Sequence, residues 1–512
     1  MTNLAHLLDD TAQLHPDRPA VVAEDRVVSY RELLRAAETV TATLRQRGVQ
    51  PGDRVLLVCP NTPEFTAAYF GILKCGAIVV PLNVSLRPRE IAYHMRDCQA
   101  AAVVVHHGDD SPEGAASARS AFEAVESCAI WLDLADIDAD PPRKPTTDPR
   151  EDDDTAVILY TSGTTVQPKG AELRHRNLRD NALVTRELYG IDPAHPDTYL
   201  CVLPLFHSFG QSCLQNSAIA FGGTLVLMRK FDAQRVIDLL ASAQVTIFAG
   251  VPTMYWAMLG ATGDLTQLES IRHHLRIACS GGAALPVEVH RRFRKVFGVT
   301  ILEGYGLSET SPSVSFNVLG RPPRVGSIGV PIPGVQMKLI DPDGNELTGD
   351  DGISAVGEIA VRGHNVMKGY YRRPEATQKA LSDGWFLTGD LARRDADGYY
   401  YIVDRAKDLI IRGGYNVYPR EIEEVLLTHP AVSLAAVVGI PHESLGEEIK
   451  AYLVPRPGHD ISVDDLARWA RDQFAAYKCP RVFEVVDQLP MTSTGKVLKR
   501  QLAQKTPTEN HD

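Results

Sequence analysis

The sequence predicts an α/β protein in two parts, a large N-terminal multi-subdomain α/β domain over residues 1–404 and a small C-terminal α+β domain over residues 405–512. Three observations lead there. Short apolar runs alternate with amphipathic segments from Ala20 to about residue 106, the rhythm of a largely parallel sheet with covering helices. Similar apolar runs recur between Cys201 and Leu302. At Tyr401-Ile402-Val403-Asp404-Arg405 the character changes, and a compact set of elements follows.

Residues 55–59 read as a buried strand, and 64–74 as a helix with Phe65, Tyr69 and Ile72 on one side. Residues 77–81 and 101–105 are the next strands. Two polar stretches, 108–114 and 140–154, cluster prolines and acidic residues and read as surface connections. Further strands fall at 201–203, 224–228, 245–249, 275–279 and 299–302. In the second part a helix is expected near 419–427, with strands near 434–438 and 449–454. A helix follows Ser462, with Asp465 at capping-box spacing, and a last strand covers 482–486.

A chain of 512 residues has room for more than one domain. Its net charge of -11 argues against a nucleic-acid-binding surface, although one phosphate-handling cleft can still be locally positive. The eight cysteines (Cys59, Cys75, Cys98, Cys128, Cys201, Cys213, Cys279, Cys479) form no C-x-x-C pair, which fits neither a zinc site nor a disulfide scaffold. The start lacks the pattern of a signal peptide and no apolar run approaches bilayer length, so a cytoplasmic location without a membrane span is expected.

The most informative stretch is Tyr160-Thr161-Ser162-Gly163-Thr164-Thr165-Val166-Gln167-Pro168-Lys169-Gly170. Four hydroxyl residues around a glycine let backbone N–H groups wrap phosphate oxygens, and Lys169 adds a positive charge. An ordinary polar turn is the bland alternative; length and order favour the phosphate reading. It is not a Walker A loop, since Gly170 follows Lys169 where Ser or Thr would stand. The stretch resembles the signature loop of the adenylate-forming superfamily, Y-T-S-G-T-T-G-x-P-K-G. That superfamily includes acyl-CoA synthetases, coumarate-CoA ligases, firefly luciferase and peptide-synthetase adenylation domains, and the pattern here is most similar to the acyl-CoA synthetases. Val166 stands where the family has glycine.

The resemblance implies attack of a carboxylate on the α-phosphate of ATP with loss of pyrophosphate, then acyl transfer to CoA. Thr161, Ser162, Gly163, Thr164, Thr165 and Lys169 would hold phosphates. Gly282, Ala283, Glu303, Gly304, Tyr305, Gly306 and Ser308, the last five around a segment similar to the family's G-Y-G-x-T-E, would hold adenosine. Glu309 would bind Mg²⁺, a hard cation that takes oxygen ligands. Asp390, in Thr388-Gly389-Asp390, and Arg405 would take the ribose, with Ile402 beside them and Lys407 as the pivot of a mobile small domain. Lys496 resembles the family's mobile lysine, which meets the acid and the α-phosphate. Gly413, Gly414, Tyr415 and Lys478 would meet CoA. Pro204-Leu205-Phe206-His207 resembles the segment whose His gates the acyl carbon, so His207 joins Lys496, Glu309 and Lys169 as a catalytic candidate.

The acid pocket is expected from His207, Gln211, Gly250, Val251, Ser280, Gly281, Gly282 and Tyr305. No Asp near His207 is present to hold an α-ammonium group, and burying one unpaired is costly, so a largely apolar, non-amino acid is preferred. Two other readings stand beside the CoA ligase. One is an adenylation-only enzyme that hands acyl-AMP to a separate ligase or acyl carrier protein. The other is a non-catalytic binder of acyl or nucleotide ligands, against which the retention of Lys496 and Glu309 speaks. Val166, β-branched where glycine is usual, would perturb the loop if its backbone needs φ > 0.

Overall fold

The computed structural model describes residues 3–24, 26–106, 112–137, 145–161, 167–261, 263–347, 354–492 and 497–504. Two mostly parallel sheets dominate the larger part. One has seven strands in the order Gly369–Tyr370, Lys169–Arg174, Thr155–Thr161, Ile78–Pro81, Arg54–Val58, Ala100–Val105, Ile130–Asp133. The other has nine, in the order Val330–Pro331, Ser313–Phe316, Ile301–Gly306, Ile277–Ser280, Ile247–Gly250, Thr198–Cys201, Thr224–Leu227, Pro19–Ala23, Arg26–Ser29. The apolar runs read from the sequence are the central strands of both sheets. Strands covered on both faces read as continuous hydrophobic runs.

The helix Pro63–Lys74 departs from its expected one-sided character. All of its residues except Glu64 are buried, because it touches strands of both sheets. Burial of each large apolar side chain on it contributes about 1.5–3 kcal/mol. A Cβ on Gly71 would lie 2.7 Å from the Ala37 carbonyl oxygen, so glycine sets how closely this helix packs on Tyr30–Gln46. Its one cation, Lys74, is buried but paired with Asp9 and donates to Thr147 Oγ1 at 2.8 Å.

The two polar stretches are only partly surface connections. Residues 107–111 and 138–144 lie outside the described residues, but the first stretch runs on into the helix Pro112–Glu123. The second is pinned to the core: the Asp148 N–H donates to Lys74 O (2.9 Å), and Asn3 Nδ2 donates to Asp148 O (2.9 Å).

A third sheet is not announced by the apolar runs. It is antiparallel and comprises Val335–Ile340, Gly357–Gly363, Trp385–Arg394 and Leu381–Ser382, with Tyr400–Arg405 pairing along Trp385–Arg394. Thr388-Gly389-Asp390 sits in the middle of its longest strand as a bulge rather than a turn. Gly389 has φ +72°, and its N–H donates to Glu358 Oε1 at 2.8 Å.

The small part has its own sheet, Tyr415–Val417, Ile410–Arg412, Gly446–Pro455 and Val432–His442, with Val482–Val485 parallel to Gly446–Pro455. Ile422, Leu426, Val437, Ile449, Leu453 and Leu466 form its core under the helices Pro419–Leu426 and Val463–Gln473. Ser462 Oγ caps the second helix by accepting the Asp465 N–H. All eight cysteines are buried and free. Among the described residues no helix is long and apolar enough to cross a membrane.

Candidate nucleotide and acid site

Three parallel strands, Ile247–Gly250, Ile277–Ser280 and Ile301–Gly306, bring Gly250, Ser280 and Glu303 side by side in register. Open parallel sheets bind ligands beyond such carboxyl ends. Buried Val251 follows the first strand, and Gly281 N–H bonds to Gly250 O at 3.4 Å. At Gly282 the chain turns with φ +80°, and among the described residues only Val251 comes within 4 Å of where a side chain would sit, so Gly282 and exposed Ala283 present open backbone. The Ser280 hydroxyl is buried with no hydrogen-bond partner among the described residues.

His207 lies just before a π-helix, Phe209–Asn216, a rare geometry that often marks functional sites. Its Nδ1 accepts the Phe209 N–H (3.3 Å), and a Cβ on Gly281 would meet the Phe209 ring at 3.2 Å. Gln211 turns away toward the central helix. Its Nε2 donates to Leu205 O (3.3 Å), and its Oε1 accepts from the Tyr69 hydroxyl (3.5 Å).

On the third strand, Tyr305 donates its hydroxyl to Asp390 Oδ2 at 2.6 Å. Burial of that hydroxyl, then the Asp390 charge, pushes its pKa well up, so it remains a donor. The flanking glycines are required by the neighbouring chain rather than by an open space. A Cβ on Gly304 would lie 2.8 Å from Phe316, and one on Gly306 1.9 Å from the Pro312 carbonyl oxygen. Buried Glu303 accepts the Gly326 N–H (2.9 Å); burial raises its carboxyl pKa to about 7.

The bulge at Gly389 aims Asp390 between Tyr305 and Arg405, whose Nε lies 3.0 Å from Asp390 Oδ1. Ile402, on the same strand as Arg405, accepts from Arg420 Nη1 at 2.8 Å, a contact from the small part. Exposed Lys407 follows in the connection to the second sheet.

The phosphate loop joins two antiparallel strands, since Thr161 pairs with Lys169 and Tyr160 with Gly170. Ser162, Gly163, Thr164, Thr165 and Val166 lie outside the described residues. Tyr160 donates to Asp97 Oδ2 (2.7 Å), and Tyr93 donates to Pro168 O (2.9 Å), so both ends of the loop are tied to the helix Pro88–Asp97. Ser308 opens the short turn Ser308–Thr310 that carries Glu309.

Among the described residues no group of three or more His, Cys, Asp or Glu is placed to hold a metal ion. Glu309 offers one carboxylate. That fits Mg²⁺ arriving with a triphosphate, which is held by one or two carboxylates together with water and phosphate oxygens.

Gly413 (φ +57°) and Gly414 (φ +83°) turn the hairpin between Ile410–Arg412 and Tyr415–Val417. Tyr415, 60% exposed, packs on Tyr477 at 5.1 Å between ring centroids, and Lys478 pairs with Glu421 at 2.5 Å. The CoA candidates are thus gathered on one exposed edge of the small part. Lys496 lies outside the described residues. Just beyond it, Lys499 pairs with Glu423 at 2.8 Å. Sequence reasoning missed Tyr370 and Asp97, which fall in no motif that was read; only the folded chain brings them to the loop.

The model for the AMP-binding enzyme family matches residues 8–371, and that for the AMP-binding enzyme C-terminal domain matches 421–496. A feruloyl-CoA synthase of Amycolatopsis sp is 37% identical, covering 96% of this chain and 97% of its own. A long-chain-fatty-acid–CoA ligase of Bacillus subtilis is 34% identical, covering 99% and 95%. ATP-bound MatB from Rhodopseudomonas palustris superposes with a TM-score of 0.87 at 33% identity over 98% of both chains, against 0.76 for its apo form. The chain belongs to the AMP-binding enzymes, the adenylate-forming acyl-CoA synthetase superfamily, as an AMP-forming acid–thiol ligase.

Proposed function

We propose that this ligase activates a largely apolar, non-amino carboxylic acid, aryl or fatty, and transfers it to CoA. The observation that carries this reading is the crevice at Gly250, Ser280 and Glu303, flanked by the Tyr305–Asp390–Arg405 set. A carboxylate oxygen of the acid attacks the α-phosphorus of ATP, and pyrophosphate leaves with the departing electron pair. The CoA sulfur then attacks the acyl carbon, and AMP leaves. Asp390 and Arg405 hold the ribose. Lys169 and Lys496 balance charge on the phosphates and the attacking acid. Mg²⁺, brought with the nucleotide to Glu309, would neutralise the leaving phosphates.

The small domain, from residue 405, turns about Lys407 between the two steps. An adenylation-stage orientation is supported by the exposed Gly414, where no atom of the described residues lies within 4 Å of an added Cβ. The closer match to the ATP-bound than to the apo form of MatB agrees.

The test is pyrophosphate release and product mass with ATP, Mg²⁺ and a panel of fatty and aryl acids, with and without CoA. Acyl-CoA from one acid class is expected. Acyl-AMP accumulating despite CoA would replace this reading with an adenylation-only enzyme that serves a carrier protein or separate ligase. ATP binding with no turnover of any acid would favour a non-catalytic binder.

A further inference from the structure

Strand Gly369–Tyr370 adds to the edge of the seven-stranded sheet beside Lys169–Arg174, with Tyr370 opposite Ala171. Two backbone bonds fix this segment against both candidate active-site elements. The Tyr371 N–H donates to Gly170 O (2.7 Å), and the Met367 N–H donates to Glu309 O (2.8 Å). The half-buried Tyr370 side chain therefore points between them. Its hydroxyl donates to Glu309 Oε1 at 2.9 Å, and the Lys169 ammonium lies 4.9 Å from its ring centroid. Tyr370 Oη gives Glu309 a neutral donor on Oε1, and among the described residues no hydrogen-bond or ion-pair partner of Oε2 is seen. Its ring face attracts Lys169 without neutralising it.

We propose that Tyr370 is a positioning residue for the first half-reaction, holding the Glu309 carboxylate and the Lys169 ammonium in register for a metal-bearing triphosphate. This rests on the ATP-dependent reading of the site and assigns a residue outside the motifs read from the sequence. Lys169 and Glu309 both touch this one side chain. A shared phenol, donor to one and π-partner to the other, keeps the acid for the metal and the base for phosphate oxygens.

The test is calorimetric titration of the full chain with ATP, once with Mg²⁺ and once with chelator, for wild type, Tyr370→Phe and Tyr370→Leu. Tyr370→Phe keeps the ring and loses the bond to Glu309. Its MgATP affinity is expected to fall on the order of tenfold, the equivalent of one hydrogen bond to a charged group. Its metal-free ATP affinity and its KM for the acid should not move. Tyr370→Leu should weaken metal-free ATP as well, because Lys169 loses its ring. Glu309→Gln/Tyr370→Phe should bind MgATP no more weakly than Glu309→Gln alone. Wild-type MgATP affinity in Tyr370→Phe, equal weakening with and without metal, or additive losses in the double variant would overturn the proposal. These titrations need no acid turnover, so failure of the acid–CoA reading and failure of this one are told apart.

Discussion

Asp390 and Arg405 stand directly opposite each other across two antiparallel strands, with the guanidinium Nε 3.0 Å from Asp390 Oδ1. Tyr305 takes the other oxygen. Each carboxylate oxygen can accept more than one hydrogen bond, so this pairing orients Asp390 and still leaves acceptor capacity for two ribose hydroxyls. Asp390→Asn keeps the shape but loses the charge-assisted bonds. AMP affinity measured by calorimetry should fall roughly tenfold or more, since bonds to charged groups are worth about 1.5–3 kcal/mol. Unchanged AMP affinity would remove Asp390 from the ribose site.

Gly306 makes a separate prediction about stability. A methyl group there would sit 1.9 Å from the Pro312 carbonyl oxygen, which is backbone and cannot swing aside. Gly306→Ala should therefore destabilise by about 1–3 kcal/mol or more, the usual cost of overpacking, and should lower the denaturation midpoint. Gly398→Ala, at φ +86° with nothing within 4 Å, carries only the backbone strain and serves as the control.

Glu303 should make stability depend on pH. Burial lifts its folded pKa from 4.5 to about 7. The folded state thus holds a proton that the unfolded chain has already released. The cost is absent below the unfolded value, grows as pH rises toward the folded value and is complete above it. At about 1.4 kcal/mol per unit the full cost approaches roughly 3 kcal/mol. Glu303→Gln keeps an oxygen for the Gly326 N–H. Its urea midpoint should exceed wild type by more at about pH 8 than at about pH 5. Equal gaps at both would mean that Glu303 is solvated.

The parts of this fold that were legible in the sequence are those where burial leaves a continuous apolar record. Val55 to Val58 and Val103 to Val105 are buried on both faces, and nothing but a central strand explains them. The helix Pro63–Lys74 was legible too, but not the burial of its other side, because amphipathic spacing by itself marks one apolar face. The antiparallel sheet went unread because its strands are half exposed and carry charge, as in Trp385–Arg394 with its terminal Arg393 and Arg394. In the site, Glu309, Asp390 and Arg405 were legible through motif order. Tyr370 was not: its partners at Lys169 and Glu309 are distant in sequence, and only the edge strand brings them together.

Gly414→Ala tests the proposed division between the two half-reactions. The Gly414 φ of +83° is one that glycine adopts freely and alanine does at some cost, but no atom of the described residues lies within 4 Å of the added methyl in this orientation. The neighbouring Tyr415 is exposed and held on Tyr477 rather than on the larger part. On the proposed reading adenylation proceeds with this hairpin away from the chemistry, so Gly414→Ala should leave pyrophosphate release and the KM for ATP within about twofold of wild type. Once the small domain turns, the same methyl would meet the thiol arm or the larger domain, so acyl-CoA formation should slow by about tenfold or more, the scale on which loop closure and fit govern turnover. The measurement is single-turnover kinetics with radiolabelled acid, following acyl-AMP and acyl-CoA separately. Acyl-AMP should build up in the variant and not in wild type. Equal slowing of both steps would place the Gly413–Gly414 turn outside the CoA path and assign its glycines to the hairpin alone.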